Sequence, residues 1–330
     1  MKTIAPGILA LLFIAANLSG AHSFAFQKKT RIKSATENQT LERTLTVNLS
    51  VAVTVCIASG NIAVRGWDKS EVRAVSANAA NILLQGSNGN SASSVAPAAA
   101  TRVEVVLIDS DNGKQGRAGN NCAAFSDVEL NVPRGAVVEL KTTSGDVRIE
   151  DVSEARVQTV SGTTTARRIG KDMEAVSVSG DILLEDSSGA ARFRSVSGTI
   201  EARGLNASAS DELDIHTTSG NIRLERVAQA RVEAATVSGS ISMTGALARG
   251  GRYRFRTISG NVDLLVPSDA SFQFNARVSR GGDIIFINLP LTFTSNDSQR
   301  ASRLVNGSFG AGDASLTLSS FSGTLRLRRQ

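Results

Sequence analysis

The chain has 330 residues, a formal net charge of +6, 41% hydrophobic residues and only 4% aromatic residues. The hydrophobic fraction is sufficient for a packed core, whereas so few aromatic side chains exclude a nucleic-acid-binding surface built on base stacking. Glycine is frequent (29 residues) and proline is rare (5), which favours many short strands joined by tight turns.

Residues 1–25 are typical of a secretory signal peptide, because Lys2 precedes a short apolar run at 8–16 and small residues follow at 21–25. The apolar run is too short to span a bilayer, although a retained N-terminal anchor remains the alternative. No later segment is apolar enough to span, so we expect no transmembrane span in the mature chain. The predicted location is therefore periplasmic, cell-surface or secreted.

Residues 26–135 form an irregular N-terminal β region that starts the repeat, with one regular unit at Ser59 and polar loops at 85–100 and 109–121. This region contains both cysteines, Cys56 and Cys122. In an exported protein such a pair permits one disulfide, worth about 4 kcal/mol in the chain-entropy model. Two separate thiols are the equally open alternative. A zinc site is not expected, since the spacing is not CxxC and no histidine cluster accompanies it.

Residues 136–265 contain the most regular repeat, in which Ser-Gly followed by a small polar residue recurs at steps of 17 to 22 residues. The glycines of these steps are Gly145, Gly162, Gly180, Gly198, Gly220, Gly239 and Gly260. Residues four before, three after and five after each serine are almost all apolar and alternate with polar neighbours. That period of two predicts strands with one buried face.

A column of hydroxyl side chains lies two residues before each serine. It comprises Thr142, Thr159, Ser177, Ser195, Thr217, Thr236 and Thr257. These residues share the parity of the inward apolar residues, so we expect them to stack as a hydrogen-bonded ladder. The predicted role is structural and not nucleophilic.

The fold predicted from these columns is all-β: a parallel β-solenoid with rungs of about 18–22 residues. A single unit of this length cannot bury its apolar face, whereas stacked units form a continuous core with Ser-Gly at the corner, where glycine adopts the strained backbone angle. An antiparallel sandwich is the alternative, but it does not explain identical columns. Residues 204–212 and 245–252 are predicted to project as loops. Residues 266–330 supply C-terminal rungs and a cap, with a weak copy at Arg280 and a closing rung at Ser322.

The charged columns do not indicate a catalytic site. Side chains six residues after the serines alternate in sign, which predicts a ladder of ion pairs and not a catalytic pair of carboxylates. That column contains Glu150, Arg167, Glu185, Arg203 and Glu225. The mature chain has a single histidine, His216, at an outward position, and the acidic residues after the corners alternate with threonine, which makes a poor calcium cage. We therefore predict no catalytic residue, no metal site and no cofactor.

The numerous arginines are interpreted first as a solvated, salt-bridged surface, and the alternative is a cationic face that meets anionic envelope polymers or glycans. Nucleic acid is not an expected partner. Residues 60–74 and 132–152, and the recurring TVSG(D/N)I motif, resemble a bacterial family of exported β-repeat proteins labelled "putative adhesin", which is also catalogued as a domain of unknown function. The likeness extends over residues 45–330 and implies a parallel β-solenoid at the cell envelope.

The predicted function is a non-enzymatic, exported β-solenoid that acts as an adhesin-like binding or scaffold protein at the cell surface or in the periplasm. One alternative is a polysaccharide-active β-helix enzyme, which would need a cleft of convergent acids and bases where the loops at 204–212 and 245–252 project. Another alternative is a regulatory partner in an envelope-stress response.

Overall fold

The computed structural model describes residues 40–76, 79–88, 99–109, 115–117, 121–206, 211–299 and 302–330. The predicted signal peptide and much of the predicted polar loops lie outside the described residues. The part of the chain that is described contains no helix long and apolar enough to cross a membrane. It is built from strands joined by short turns.

The strands in chain order are β1 (Leu41–Ser59), β2 (Ile62–Trp67), β3 (Glu71–Ser76), β4 (Ala79–Ser87), β5 (Ala100–Asp109), β6 (Gln115–Arg117), β7 (Asn121–Cys122), β8 (Val128–Pro133), β9 (Val137–Ser144), β10 (Val147–Glu150), β11 (Glu154–Ser161), β12 (Thr164–Arg167), β13 (Met173–Ser179), β14 (Ile182–Glu185), β15 (Ala191–Ser197), β16 (Ile200–Leu205), β17 (Glu212–Ser219), β18 (Ile222–Val227), β19 (Arg231–Ser238), β20 (Ile241–Thr244), β21 (Arg252–Ser259), β22 (Val262–Val266), β23 (Phe272–Ser279), β24 (Asp283–Ile287), β25 (Thr292–Gln299), β26 (Ser302–Phe309), β27 (Ala314–Ser322) and β28 (Thr324–Arg329).

Each regular rung contributes one strand before the Ser-Gly corner and one strand after it. The strands before the corner (β9, β11, β13, β15, β17, β19, β21) pair in parallel with each other, and so do the strands after it (β10 to β22, even numbers). The register matches the repeat, since Ser177 faces Ser195 and Ser179 faces Ser197. The fold is therefore the predicted parallel β-solenoid.

The core follows the apolar columns. Val157, Ala175, Phe193 and Ile215 stand four residues before successive serines, and each is at most 1% exposed. Successive strands lie about 4.8 Å apart, so each inward side chain packs directly on its counterparts in the two adjacent rungs. Burying one such aliphatic or aromatic side chain contributes about 1.5–3 kcal/mol. The stacking of equivalent positions is what makes every rung dependent on its neighbours.

In six of the seven regular rungs a second corner lies seven residues after the serine, where the backbone has a positive φ. Asp151 (φ 61°), Arg168 (51°), Asp186 (48°) and Arg226 (51°) adopt this conformation, as does Gly204 (64°). Non-glycine residues rarely have a positive φ. Its recurrence at one position of several rungs identifies it as the geometry of the corner and not as local strain.

The rungs at the ends are not stacked in chain order. The rung β1–β2 lies between β9–β10 on one side and β5–β8 on the other. The rung β27–β28 lies between β21–β22 and β23–β24. The prediction that the Ser322 rung closes the solenoid was wrong, because the weaker Arg280 rung is stacked outside it. Antiparallel β4 at one end, and β26 with β25 at the other, then cover exposed strand edges.

Candidate binding surfaces

The seven predicted corner glycines stack one above another, and each is required by the closeness of its neighbour. A Cβ atom on Gly162 would overlap the carbonyl oxygen of Gly145, and one on Gly180 would overlap that of Gly162; the same holds along the column. A positive φ occurs at only three of the seven, Gly145, Gly162 and Gly198. The predicted reason, a strained backbone angle, therefore applies to those three, whereas steric exclusion applies to all seven.

The seven hydroxyl residues are all buried. The acceptor of each hydrogen bond depends on whether the corner glycine of the rung has a positive φ. Thr142, Thr159 and Ser195 donate to the carbonyl two residues later, at 2.9–3.0 Å, in rungs whose corner glycine has a positive φ. In rungs without it, Thr236 and Thr257 donate instead to the preceding corner glycine, at 3.1 and 3.3 Å.

Two members of the ladder have no partner for the hydroxyl among the described residues: Ser177 and Thr217. In both cases the corner glycine of the same rung lacks a positive φ, whereas the corner glycine of the preceding rung has one. The change of corner type between adjacent rungs thus coincides with the loss of the acceptor. The seven side chains of the ladder are buried, and two of its hydroxyls are unsatisfied among the described residues.

The acidic and amide residues after the corner glycines bind the next rung. The side-chain oxygen of Asp146 accepts a hydrogen bond from the backbone N–H of Thr163 at 2.8 Å, and Asp181 accepts one from Thr199 at 2.7 Å. Asn221 does the same for Ser240 at 2.9 Å. The alternation of acid and hydroxyl residues is therefore a rung-to-rung capping pattern. No group of carboxylates, histidines and cysteines among the described residues could hold a metal ion.

Cys56 and Cys122 form a disulfide in the structure, with their Cα atoms 4.8 Å apart. Cys56 is completely buried in β1, and the bond attaches β7 to it across a separation of 66 residues. A cross-link over so long a loop restricts the unfolded chain strongly.

The alternating charges form the predicted ladder on the outer face of the strands after the corner. Arg167 pairs with Glu185, and Arg203 lies 3.9 Å from Glu185 and 3.7 Å from Glu225. At the second corner, the Arg168 guanidinium donates two hydrogen bonds of 2.8 Å to Asp151. These bonds lower the pKa of the Asp151 carboxyl. The charges in this part of the solenoid compensate each other.

His216 is half-exposed on the outer face of β17, where its Nδ1 atom lies 2.8 Å from a carboxylate oxygen of Asp214. Asp214 also contacts Arg194 at 3.1 Å. The histidine therefore belongs to a cluster of charged side chains on the surface. The serines that end the adjacent strands lie at the Ser-Gly corner.

An apolar ridge runs along the Ser-Gly corner, formed by the outward residue directly before each serine. Its members are between 42% and 49% exposed: Val160, Val178, Val196, Val237, Ile258 and Phe321. Thr143 and Thr218 occupy the same position in two further rungs. The ridge is also visible in the sequence, because the residue directly before each serine is mostly apolar although its position in the strand faces outward.

A basic-polar patch lies on the outer faces of β21, β27 and β23, which are adjacent strands. Arg252, Arg254 and Arg256 project from β21, and Arg277 projects from β23. Neutral side chains of the three strands complete the grid: Ser315, Thr317, Ser319, Gln273 and Asn275. Among these arginines, only Arg254 has a carboxylate nearby among the described residues, Glu233 at 3.5 Å.

A cleft of about 580 Å³ lies at the second corner, next to the two predicted loops. Its lining includes Gly204 to Asn206, at the start of the first predicted loop, and Gly245 to Ala248 from the second. Asp186 is the one carboxylate among the described residues that line it.

Comparison with known proteins places this architecture in a family. The sequence profile of the Toastrack DUF4097 family matches residues 14–206 and 189–328. No curated protein matches the chain. A crystal structure of a "putative cell adhesion protein" from Clostridium sporogenes is similar at 8% identity, covering 88% of this chain and all of that one, with a TM-score of 0.24.

A "putative adhesin" from Parabacteroides distasonis is similar at 10% identity, covering 88% of this chain and 98% of that one, with a TM-score of 0.26. The family profile matches well over half of the chain, and both of its matches include rungs of the Ser-Gly repeat. The chain belongs to the Toastrack DUF4097 family.

Proposed function

We propose that the protein is an exported, non-catalytic binding module of the cell envelope, and that the basic-polar patch binds an acidic glycan. The observation that carries the proposal is the grid of four arginines among neutral hydroxyl and amide side chains on β21, β27 and β23. Arginine binds carboxylate and sulfate groups through two parallel hydrogen bonds. Hydroxyl and amide groups provide further hydrogen bonds for a sugar.

The charge of the patch contrasts with the rest of the same face. Arg156 lies 3.9 Å from Glu174, and Arg192 lies 3.8 Å from Asp214, so these arginines are compensated by carboxylates. In the patch, three of the four arginines have no carboxylate within ion-pair distance among the described residues, which leaves a local positive potential. An acidic polymer would be attracted here more strongly than to the middle of the solenoid.

The apolar ridge passes directly beside the patch and adds a surface suited to a sugar ring. Ile258 and Phe321 end the outward rows of β21 and β27, and the Arg280 guanidinium lies 5.6 Å from the centre of the Phe321 ring. The disulfide between Cys56 and Cys122 supports the exported location, because disulfides persist in oxidising compartments.

The alternative of a polysaccharide-active enzyme has less support. Glycoside hydrolysis ordinarily requires two carboxyl groups on either side of the scissile bond. The cleft has Asp186 as the single carboxylate of its described lining. No contact in the structure specifically favours the regulatory alternative.

The test uses purified mature chain, residues 26–330, on polygalacturonate and alginate, with neutral dextran for comparison. We expect binding to the two uronate polymers that weakens with increasing salt. The variant carrying Arg252→Gln, Arg256→Gln and Arg277→Gln should lose at least tenfold in affinity. The control variant carries Arg156→Gln, Arg192→Gln and Arg194→Gln, which remove the same charge from arginines of the same face that have carboxylates within ion-pair distance, and should bind like the native protein.

Equal loss in both variants, or no binding to any acidic glycan, would overturn the assignment of the patch. Release of reducing ends from either polymer would instead establish an enzyme. Cell fractionation that recovers the mature protein from the cytosol would overturn the exported location.

A further inference from the structure

The cleft at the second corner exists because two rungs, with one further rung between them, depart from the regular repeat. The step after Ser197 is 22 residues long and the step after Ser238 is 21, and the extra residues follow Gly204 and Gly245. Leu205 and Val227 form the floor of the cleft and are each 2% exposed. The cleft is thus an apolar recess between insertions and not a gap in the core.

The two glycines open this recess on either side of one charged side chain. In three successive rungs the second corner is occupied by Gly204, Arg226 and Gly245, all with positive φ. Other rungs have Asp151, Arg168 or Asp186 there. Because neither glycine carries a side chain, the Asp186 carboxylate lies against Gly204 on one side, and on the other side a Cβ atom at Gly245 would come no closer than 3.4 Å to its neighbours.

Arg226 is the uncompensated cation of the cleft. No acidic group of the described residues lies within ion-pair distance of its guanidinium, in contrast to Arg168, which Asp151 binds at 2.8 Å. The carboxylate of Asp186 acts electrostatically on Arg168. The cleft therefore combines an apolar floor with one carboxylate, Asp186, and one cation, Arg226, that has no ion-pair partner among the described residues.

We propose that this cleft binds a single small amphiphile, with its aliphatic chain on Leu205 and Val227 and its carboxylate on Arg226. The volume of about 580 Å³ lies within the usual range for small-molecule sites. The site is concave, whereas binding to a membrane surface requires apolar side chains that project into the bilayer. A monomeric ligand therefore fits better than a bilayer, and the assignment does not depend on the glycan-binding patch.

The test is calorimetric titration of the mature chain with dodecanoate below its micellar concentration. One saturable site is expected, with affinity reduced about tenfold or more in Arg226→Gln, since the variant loses a charge-assisted hydrogen bond to the carboxylate. Ala246→Phe places a large side chain on an exposed position of the lining and should abolish binding. Arg223→Gln, which removes a charge from the same rung outside the cleft, should leave affinity unchanged.

Several outcomes would overturn the assignment. They are the absence of saturable dodecanoate binding, equal affinity in Ala246→Phe and the native protein, and dodecyltrimethylammonium binding as tightly as dodecanoate. Vesicles of anionic phospholipid provide the last comparison: binding to vesicles without binding to monomeric dodecanoate would also overturn it. Circular dichroism of each variant excludes misfolding as the cause of any loss.

Discussion

Replacing Gly220 by alanine tests whether close stacking, and not backbone freedom, requires the corner glycines. Gly220 lies outside the positive-φ region, so alanine can adopt its backbone angles. Its Cβ atom, however, would overlap the carbonyl oxygen of Gly198 in the preceding rung and lie 2.8 Å from the Oγ1 atom of Thr217. The two rungs must separate locally to admit the methyl group.

We expect Gly220→Ala to lower the free energy of unfolding by about 3 kcal/mol. Overpacking alone costs about 1–3 kcal/mol, and the displaced rung also weakens interstrand hydrogen bonds worth about 1 kcal/mol each. For a chain of this size, such a loss corresponds to a decrease in Tm of roughly 6–10 °C. The effect should be centred on the rungs that contain Gly198 and Gly220.

The assay combines thermal unfolding by circular dichroism with hydrogen exchange of peptides from β16 to β19, because a solenoid can open locally. Gly170→Ala is the matched control: it also lacks a positive φ, and a Cβ atom there would come no closer than 3.8 Å to its neighbours. We expect the control to change stability little. The steric argument is refuted if the two variants have the same Tm and the same exchange in β16 to β19.

Three further predictions concern polar side chains. Asp151→Asn should destabilise the protein by up to about 1 kcal/mol at pH 7. Hydrogen bonds from Arg168 lower the pKa of Asp151, so its carboxylate stabilises the fold above the unfolded pKa and loses this effect as the pH falls through the folded pKa. A difference in Tm that persists unchanged at pH 2 would contradict this. Gln229→Met should raise the free energy of unfolding by about 1–2 kcal/mol, since the amide of Gln229 is fully buried without a partner among the described residues; a lower Tm would count against it. Ser195→Ala should cost about 1 kcal/mol and Ser177→Ala almost nothing in chemical denaturation, because only Ser195 donates a hydrogen bond, and equal costs would disprove that.

The stacked columns made the rungs predictable from sequence. Parallel in-register stacking places equivalent residues beside each other, so each column must suit its own copies, and columns such as Val157 and Ala175 predicted the inward face. The same logic does not reveal the order of the rungs at the ends. The Ser322 rung has the same motif as its neighbours. Nothing in that motif indicates that the Ser322 rung, and not the Arg280 rung, is stacked on the Ser259 rung.

The candidate sites were less predictable, because they depend on that order. The basic-polar patch joins β21 to β27, whose facing residues Arg252 and Ser315 are 63 positions apart in the chain. The alternation of Asp146 with Thr163 was visible as a pattern, and its meaning required knowing that the acceptor and the backbone donor lie in adjacent rungs. The two insertions in the sequence indicated where the cleft lies. They did not indicate that its floor is apolar.

The regular rungs also explain why binding sites should be sought where the repeat fails. Inward and corner positions are fixed by stacking, and most outward arginines of the central rungs have a carboxylate within ion-pair distance, as Arg203 has in Glu225. A charge that is paired with an opposite charge attracts an external ligand only weakly. Unpaired cations occur instead where the C-terminal rung is inserted beside β21, and at Arg226 between two insertions. An irregularity in stacking removes the lateral partner of a charge, and this makes the charge available for recognition.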